Sequence, residues 1–228
     1  MSLGLCLAVM RMFPVIFSAL AYVFCSLGQE EVVFKDTFKG ALGPGWSWIR
    51  EHPGAWRTSA SGLEVRIEPG NMWGSQNDAK NVLVRALPDF STNQLEISLS
   101  VSNAPTHQYE QVDLVCFFDD SNMVKLGEEL VDGKLSIVMG REQSDKTRTI
   151  AIVPLDSASV QLKLSLKGVT IGGHFRTSET NVWREAGQCD LPAIPGVKAL
   201  LSLQFYQGPG DVEHWARVSD LKIVKVRN

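Results

Sequence analysis

The sequence is poor in the residues that build metal and redox centres. Its 228 residues include four cysteines and four histidines. His52, His107, His174 and His214 are scattered, and no Cys/His spacing suits zinc or a Ser-His couple. Charge of one sign is also lacking. Lys and Arg number 22 against 25 Asp and Glu, for a formal net charge of -3. Without a basic stripe there is no footprint for a phosphate backbone, and without a polybasic patch none for an anionic membrane. No Gly-x-Ser-x-Gly elbow, phosphate loop or Asn-x-Ser/Thr acceptor occurs. Long amphipathic helical patterns are missing too, which excludes a helical bundle.

The first segment has the make-up of a targeting signal. Residues 1–28 hold no acid and one arginine, Arg11, before the apolar run from Phe13 to Phe24 and the closing Ser26, Leu27 and Gly28. That run is shorter than the ~20 residues needed to cross a hydrocarbon core, so the expectation is a signal peptide over 1–28. The mature chain then begins near Gln29, has no membrane span, and is secreted, whether periplasmic or extracellular. Met10 and Met12 offer alternative starts, and Phe24 before Cys25 is too large for a lipobox. Residues 29–228 are expected to form one domain. Of the cysteines, Cys116 and Cys189 remain, either as one disulfide or as buried thiols.

What the remaining chain does have is a period of two. Leu95, Ile97, Leu99 and Val101 alternate with Glu96, Ser98 and Ser100. Val112, Leu114, Cys116 and Phe118 oppose Gln111 and Asp113, and Val160 to Leu166 and Leu201 to Phe205 repeat the pattern. Turn signals at Ser61-Gly62, Pro69-Gly70, Asp132-Gly133, Gly172-Gly173 and Gly208-Pro209-Gly210 separate the runs. The prediction is an all-β sandwich of about a dozen short antiparallel strands in two packed sheets. If the sheets curve, the polar faces of the central strands line a concave groove, the expected ligand site. Asn81 and Arg85 are read as pointing there, opposite core-facing Val82 and Val84. Gln111, Asp113, Met123, Lys125, Gln204 and Tyr206 are read likewise. Arg85, Asp113 and Lys125 are either a charged network in that groove or ordinary cross-strand pairs on a solvated sheet.

Trp46, Trp48, Trp56 and Trp73 fall within 28 residues of one another. An indole face suits the apolar C–H edge of a pyranose, and neighbouring Asn, Gln, Asp and Arg suit its hydroxyls; the same rings can instead fill core. Trp48, Trp56 and Trp73 are the candidate sugar platforms, with two of the four tryptophans expected to be packing residues.

Several stretches carry a family resemblance: Phe34-Lys35-Asp36-Thr37-Phe38, Gly45-Trp46-Ser47-Trp48-Ile49-Arg50-Glu51, Asn81-Val82-Leu83-Val84-Arg85, and Asp119-Asp120-Ser121-Asn122-Met123-Val124-Lys125-Leu126-Gly127. Across residues 32–226 the sequence resembles the concanavalin A-like jelly-roll family of unassigned function, which is similar to the C-terminal domain of family 43 β-xylosidases. The resemblance implies two curved antiparallel sheets and a carbohydrate partner, an oligo- or polysaccharide. It implies no reaction, because many relatives of this superfamily bind or support and do not cleave; as a departure, the xylosidase-like domain normally follows a catalytic propeller, for which these residues leave no room. Laminarinase-like members of the superfamily carry a Glu-x-Asp-x-x-Glu strand, whereas here serines alternate after Glu96. A glycosidase would need two carboxyls about 5 to 9.5 Å apart. The candidates are Glu51 beside the tryptophans, Asp113 paired with Glu128 across one groove, and Glu129. The superfamily also implies a structural Ca²⁺ where the first and last strands meet, held by Asp36 and Asp220, with turn capping as the alternative role. No cofactor is required.

Overall fold

Alternating side chains commit this chain to sheets because a strand with one apolar edge is stable only against a second such surface. The structure, a computed structural model, describes Met1 and residues 29–227, so the signal-peptide expectation, Cys6 and Cys25 lie outside the described residues. Fifteen strands follow in order: β1 (Gln29–Asp36), β2 (Ser47–Ile49), β3 (Trp56–Ser59), β4 (Gly62–Arg66), β5 (Val82–Ala86), β6 (Gln94–Ser102), β7 (Gln111–Asp119) and β8 (Asn122–Val131). They continue with β9 (Lys134–Gln143), β10 (Lys146–Pro154), β11 (Ser159–Lys167), β12 (Thr170–Arg176), β13 (Arg184–Asp190), β14 (Leu200–Tyr206) and β15 (Trp215–Arg227). The only helical element among the described residues is a single 3-10 turn at Pro53–Ala55.

The strands form two sheets. An eight-stranded sheet runs β13-β12-β11-β6-β15-β4-β3, with β1 also paired to β15. A seven-stranded sheet runs β10-β9-β8-β7-β14-β5-β2. Every pairing is antiparallel. This is the two-sheet sandwich expected from the alternation, in the jelly-roll form that the family resemblance implies. The long hairpin joining β8 to β9 turns at Asp132 and Gly133, both with positive φ (50° and 72°), the conformation of a type I′ turn matched to strand twist.

The main core lies between the sheets. Leu95, Ile97, Leu99 and Val101 of β6 meet Leu114, Leu126, Met139 and Leu203 from the facing sheet, all essentially inaccessible. Cys116 and Cys189 are both free thiols in this core, and burial pushes the Cys116 thiol up to about 12.

A second, smaller apolar cluster lies on the outer face of the seven-stranded sheet. Val82, Val84, Val115, Phe117, Met123 and Tyr206 are buried there beneath Met72 and Ala79. The residues covering them belong to the loop between β4 and β5, which crosses the sheet as a strap. The strap corrects the register read for β5. Val82 and Val84 face outward under it, while Leu83 and Arg85 turn inward beside Leu203 and Leu201.

Candidate functional site

The strap is built by one asparagine and one aspartate. Asn71 Oδ1 accepts from the backbone N–H of Met72 (2.9 Å) and Trp73 (3.0 Å), while its Nδ2 donates to the Trp73 carbonyl (2.9 Å). Asp78 closes the loop by accepting from the Asn71 N–H at 2.8 Å. These local bonds fix a turn that has no other strand to pair with. The strap is pinned to the sheet by the Gly74 N–H, which donates to Glu142 on β9 (3.1 Å), and by Arg50, whose Nε donates to the Ala79 carbonyl (2.8 Å). Arg50 also pairs with Asp120 at 2.8 Å.

Held this way, Trp73 lies with its six-membered ring over Gly140 of β9. A Cβ at residue 140 would come within 2.5 Å of that ring, so only glycine admits the indole. Beyond the strap, the uncovered part of the sheet forms a cavity of about 470 Å³. Trp73, Tyr109, Gln111, Lys125, Glu129 and Ile152 are among its lining residues. Tyr109 and Ile152 are large and about half exposed at its rim (48% and 51%). Tyr109 has φ 67°, unusual for an aromatic residue, and is held by its N–H to the Leu130 carbonyl (2.8 Å) and by the Gln111 amide on its own carbonyl (2.7 Å).

Lys125 is the centre of the polar floor. Its ammonium donates to Gln111 Oε1 and to Glu129 Oε2 (3.1 Å), and it lies 3.5 Å from the Tyr206 hydroxyl and 4.0 Å from Asp113. The Trp73 ring centroid is 5.0 Å away, within cation–π range. Asp113 is fully buried, with Lys125 and the Tyr206 hydroxyl as its polar neighbours. Burial raises it to about 6, only partly offset by Lys125, and the Glu129 charge pushes the same way as burial. Glu142, under the strap, is raised by burial to about 7 despite the Gly74 N–H. Tyr206 is held well above its ordinary range by burial and by the neighbouring Asp113 charge.

The sequence candidates divide cleanly. Gln111, Asp113, Lys125, Glu129 and Tyr206 do share the outer face, and Trp73 stands beside them. Trp48 and Trp56 do not. Their rings pack 5.0 Å apart where β2 and β3 close one side of the main core, with Trp56 Nε1 donating to Glu51 at 3.1 Å. Trp46 is a third packing ring, its Nε1 bonded to Asp36 (2.9 Å). Arg85 stacks on Phe34, 3.2 Å from the ring centroid, rather than joining Asp113 and Lys125. Asn81, with φ 53° and its Oδ1 accepting from the His52 N–H at 2.7 Å, holds a turn.

The pairing of Asp113 with Glu128 also fails, for a reason of register. Asp113 lies opposite Gly127, so Glu128, opposite Val112, points into the sandwich interior. Glu51 is exposed at the sandwich side, away from the cavity. Asp36 and Asp220 take opposite faces. Asp36 sits opposite core residue Leu221, and Asp220 lines a groove on the outside of the eight-stranded sheet. Asp36 accepts three N–H groups, from Phe38, Gly43 and Trp46, a donor-rich setting that suits a loop anchor and does not fit a cation needing oxygen ligands. No cluster of three or more His, Cys, Asp or Glu suited to a metal occurs among the described residues.

Glu142, Tyr109 and the two glycines opposite Trp73 and Asp113 were missed by the sequence reading. The one available signal was glycine inside a strand pattern, at Gly127 and Gly140, which marks a close approach to backbone.

No protein-family model and no curated protein matches the chain. Solved structures do match in fold. The GH43 protein from Bacillus licheniformis superposes with a TM-score of 0.70 at 16% identity over 85% of this chain, which spans 39% of that protein. A functionally unknown protein from Saccharomyces cerevisiae gives 0.64 at 11% identity, covering 81% of this chain and 98% of that one. The carbohydrate-binding module CBM66 from Bacillus subtilis gives 0.52 at 9% identity, covering 78% and 93%. The chain therefore has a jelly-roll β-sandwich fold of two antiparallel sheets, similar to a part of the GH43 proteins.

Proposed function

We propose that this protein is an exported carbohydrate-recognition sandwich that binds a saccharide in the cavity beside the strap and does not cleave it. The observation that carries the reading is the cavity wall itself. Two aromatic rings, Trp73 and Tyr109, border a floor in which Lys125, Gln111 and Glu129 are held nearly buried by bonds to one another and to the Tyr109 carbonyl. Apolar ring faces with a few convergent polar groups suit a sugar, whose C–H edges and hydroxyls need both. The likeness to a carbohydrate-binding module and to family 43 hydrolases supports the same class of ligand.

Catalysis is disfavoured by the placement of the acids. Asp113 is sealed beneath Lys125 and Gly127, and Glu142 is occupied by the Gly74 N–H under the strap. One observation still favours a glycosidase as the second reading: Glu142 stands on this face with Oε1 free of any donor, and burial raises it to about 7, in the range of a general acid. A polysaccharide panel scored both for binding and for released reducing ends separates the readings. Binding without release is expected. Release that disappears in Glu142→Gln would establish the hydrolase instead. Intact mass of the native protein tests export, the expected mass being that of a chain beginning near Gln29.

A further inference from the structure

The strap divides the outer face of the seven-stranded sheet and walls the cavity on its side. The strap lies over β5, β14 and β7, where Met72 and Ala79 are buried on Val84, Val115, Phe117 and Tyr206, and reaches β9 through Trp73 on Gly140 and Gly74 on Glu142. The cavity lies alongside the strap, over parts of β7, β8, β9 and β10, with Val138, Thr149 and Ile152 beneath and beside it. Its inner wall is Asn71 and Trp73, both on the strap. This wall is anchored rather than loose: Gly70 accepts from the Gln207 N–H (3.1 Å), Gly74 donates to Glu142 (3.1 Å), and Asn71 and Asp78 tie the loop to itself. A polymer laid across the strands would have to run through this wall.

Resting on the carbohydrate reading above, we infer that the cavity is a blind pocket that receives the terminal unit of a glycan chain and excludes internal units. The last sugar stacks against Trp73 with its hydroxyls toward Lys125 and Glu129, and the rest of the chain leaves past Tyr109 and Ile152. Recognition then depends on the number of chain ends rather than on the mass of polymer.

The experiment is a titration of the intact protein with linear xylan, arabinan, β-glucan and fructan, each as short and long size fractions. Binding is read by calorimetry as protein bound per chain. One protein per chain is expected for both fractions, with affinity expressed per end unchanged by length. In the xylan, arabinan and β-glucan fractions, which have a free hemiacetal end, borohydride reduction converts the reducing-end ring to an open alditol. Loss of binding after reduction assigns that end as the ligand, and retained binding assigns the other end. Several proteins bound per long chain, rising with length, would overturn this inference while leaving carbohydrate recognition intact. No binding to any fraction would overturn the carbohydrate reading and this inference with it.

Discussion

At Glu128 a carboxyl has been folded into a hydrocarbon interior without a donor. Both of its oxygens are unpaired, and burial, with the neighbouring Glu110 charge, raises it to about 8. The folded chain thus retains a proton that the unfolded chain releases above the ordinary glutamate range, near 4.5. Stability contributed by this group is therefore present at low pH and falls as pH rises from there through about 8. Glu128→Gln keeps the shape and removes the titration. The variant is expected to unfold at higher denaturant than the parent at pH 9, by an amount on the order of 3 kcal/mol, and to differ little at pH 4. Equilibrium urea unfolding at the two pH values checks it. The tryptophans invite a second residue-level comparison. Trp73→Ala is expected to weaken saccharide binding about tenfold, with the thermal midpoint almost unchanged. Trp48→Ala removes a ring from the core edge and is expected to cost about 3 kcal/mol of stability instead. If Trp73→Ala leaves the affinity unaltered, the indole is not a sugar platform.

Strands and loops show why some of this was legible in the sequence and some was not. Alternation in β6 and β11 reads correctly because each has one face of long aliphatics and one of polar or charged groups, and in β7 and β14 it still gives the core face although Val115, Phe117 and Tyr206 make part of the outer face apolar. In β5 the same rule gives the wrong phase. The run Val82-Leu83-Val84 is apolar on both faces because the strap covers its outer side, and no local pattern reveals that Met72 and Ala79 of the preceding loop fold back to do so. The tryptophan candidates failed for a related reason. Composition marks Trp48 and Trp73 alike, while only a neighbour distant in sequence decides which ring is enclosed. The glycines do carry a local trace, and they yield the prediction proper to this scale. Gly140→Ala places a methyl 2.5 Å from the Trp73 ring and must move it. Binding is expected to fall as in Trp73→Ala, with a modest loss of stability. Gly127→Ala, where the methyl would overlap the Asp113 carboxylate and approach the Val112 carbonyl to 2.6 Å, is expected to destabilise the whole sheet. Thermal melts of the two variants should separate clearly.

For the molecule as a whole, the two sheets share one interior, and its thiols report on it. Cys116 is inaccessible and Cys189 nearly so (8% exposed). Both are expected to resist an alkylating reagent in native buffer and to react together once the chain is unfolded. Mass spectrometry of labelled protein across a denaturant series would reveal any earlier reaction at Cys189 as local opening of the β12–β13 side. The order of the strands has a separate bearing on how the chain is made. β15 runs between β6 and β4 and also holds β1, so the middle of the eight-stranded sheet is absent until the polypeptide has been polymerised through Arg227. A nascent chain halted before Trp215 leaves β1, β4 and β6 without their common neighbour, their apolar edges available to chaperones and to one another. Export machinery that requires an unfolded passenger would find in this late-arriving strand a built-in delay.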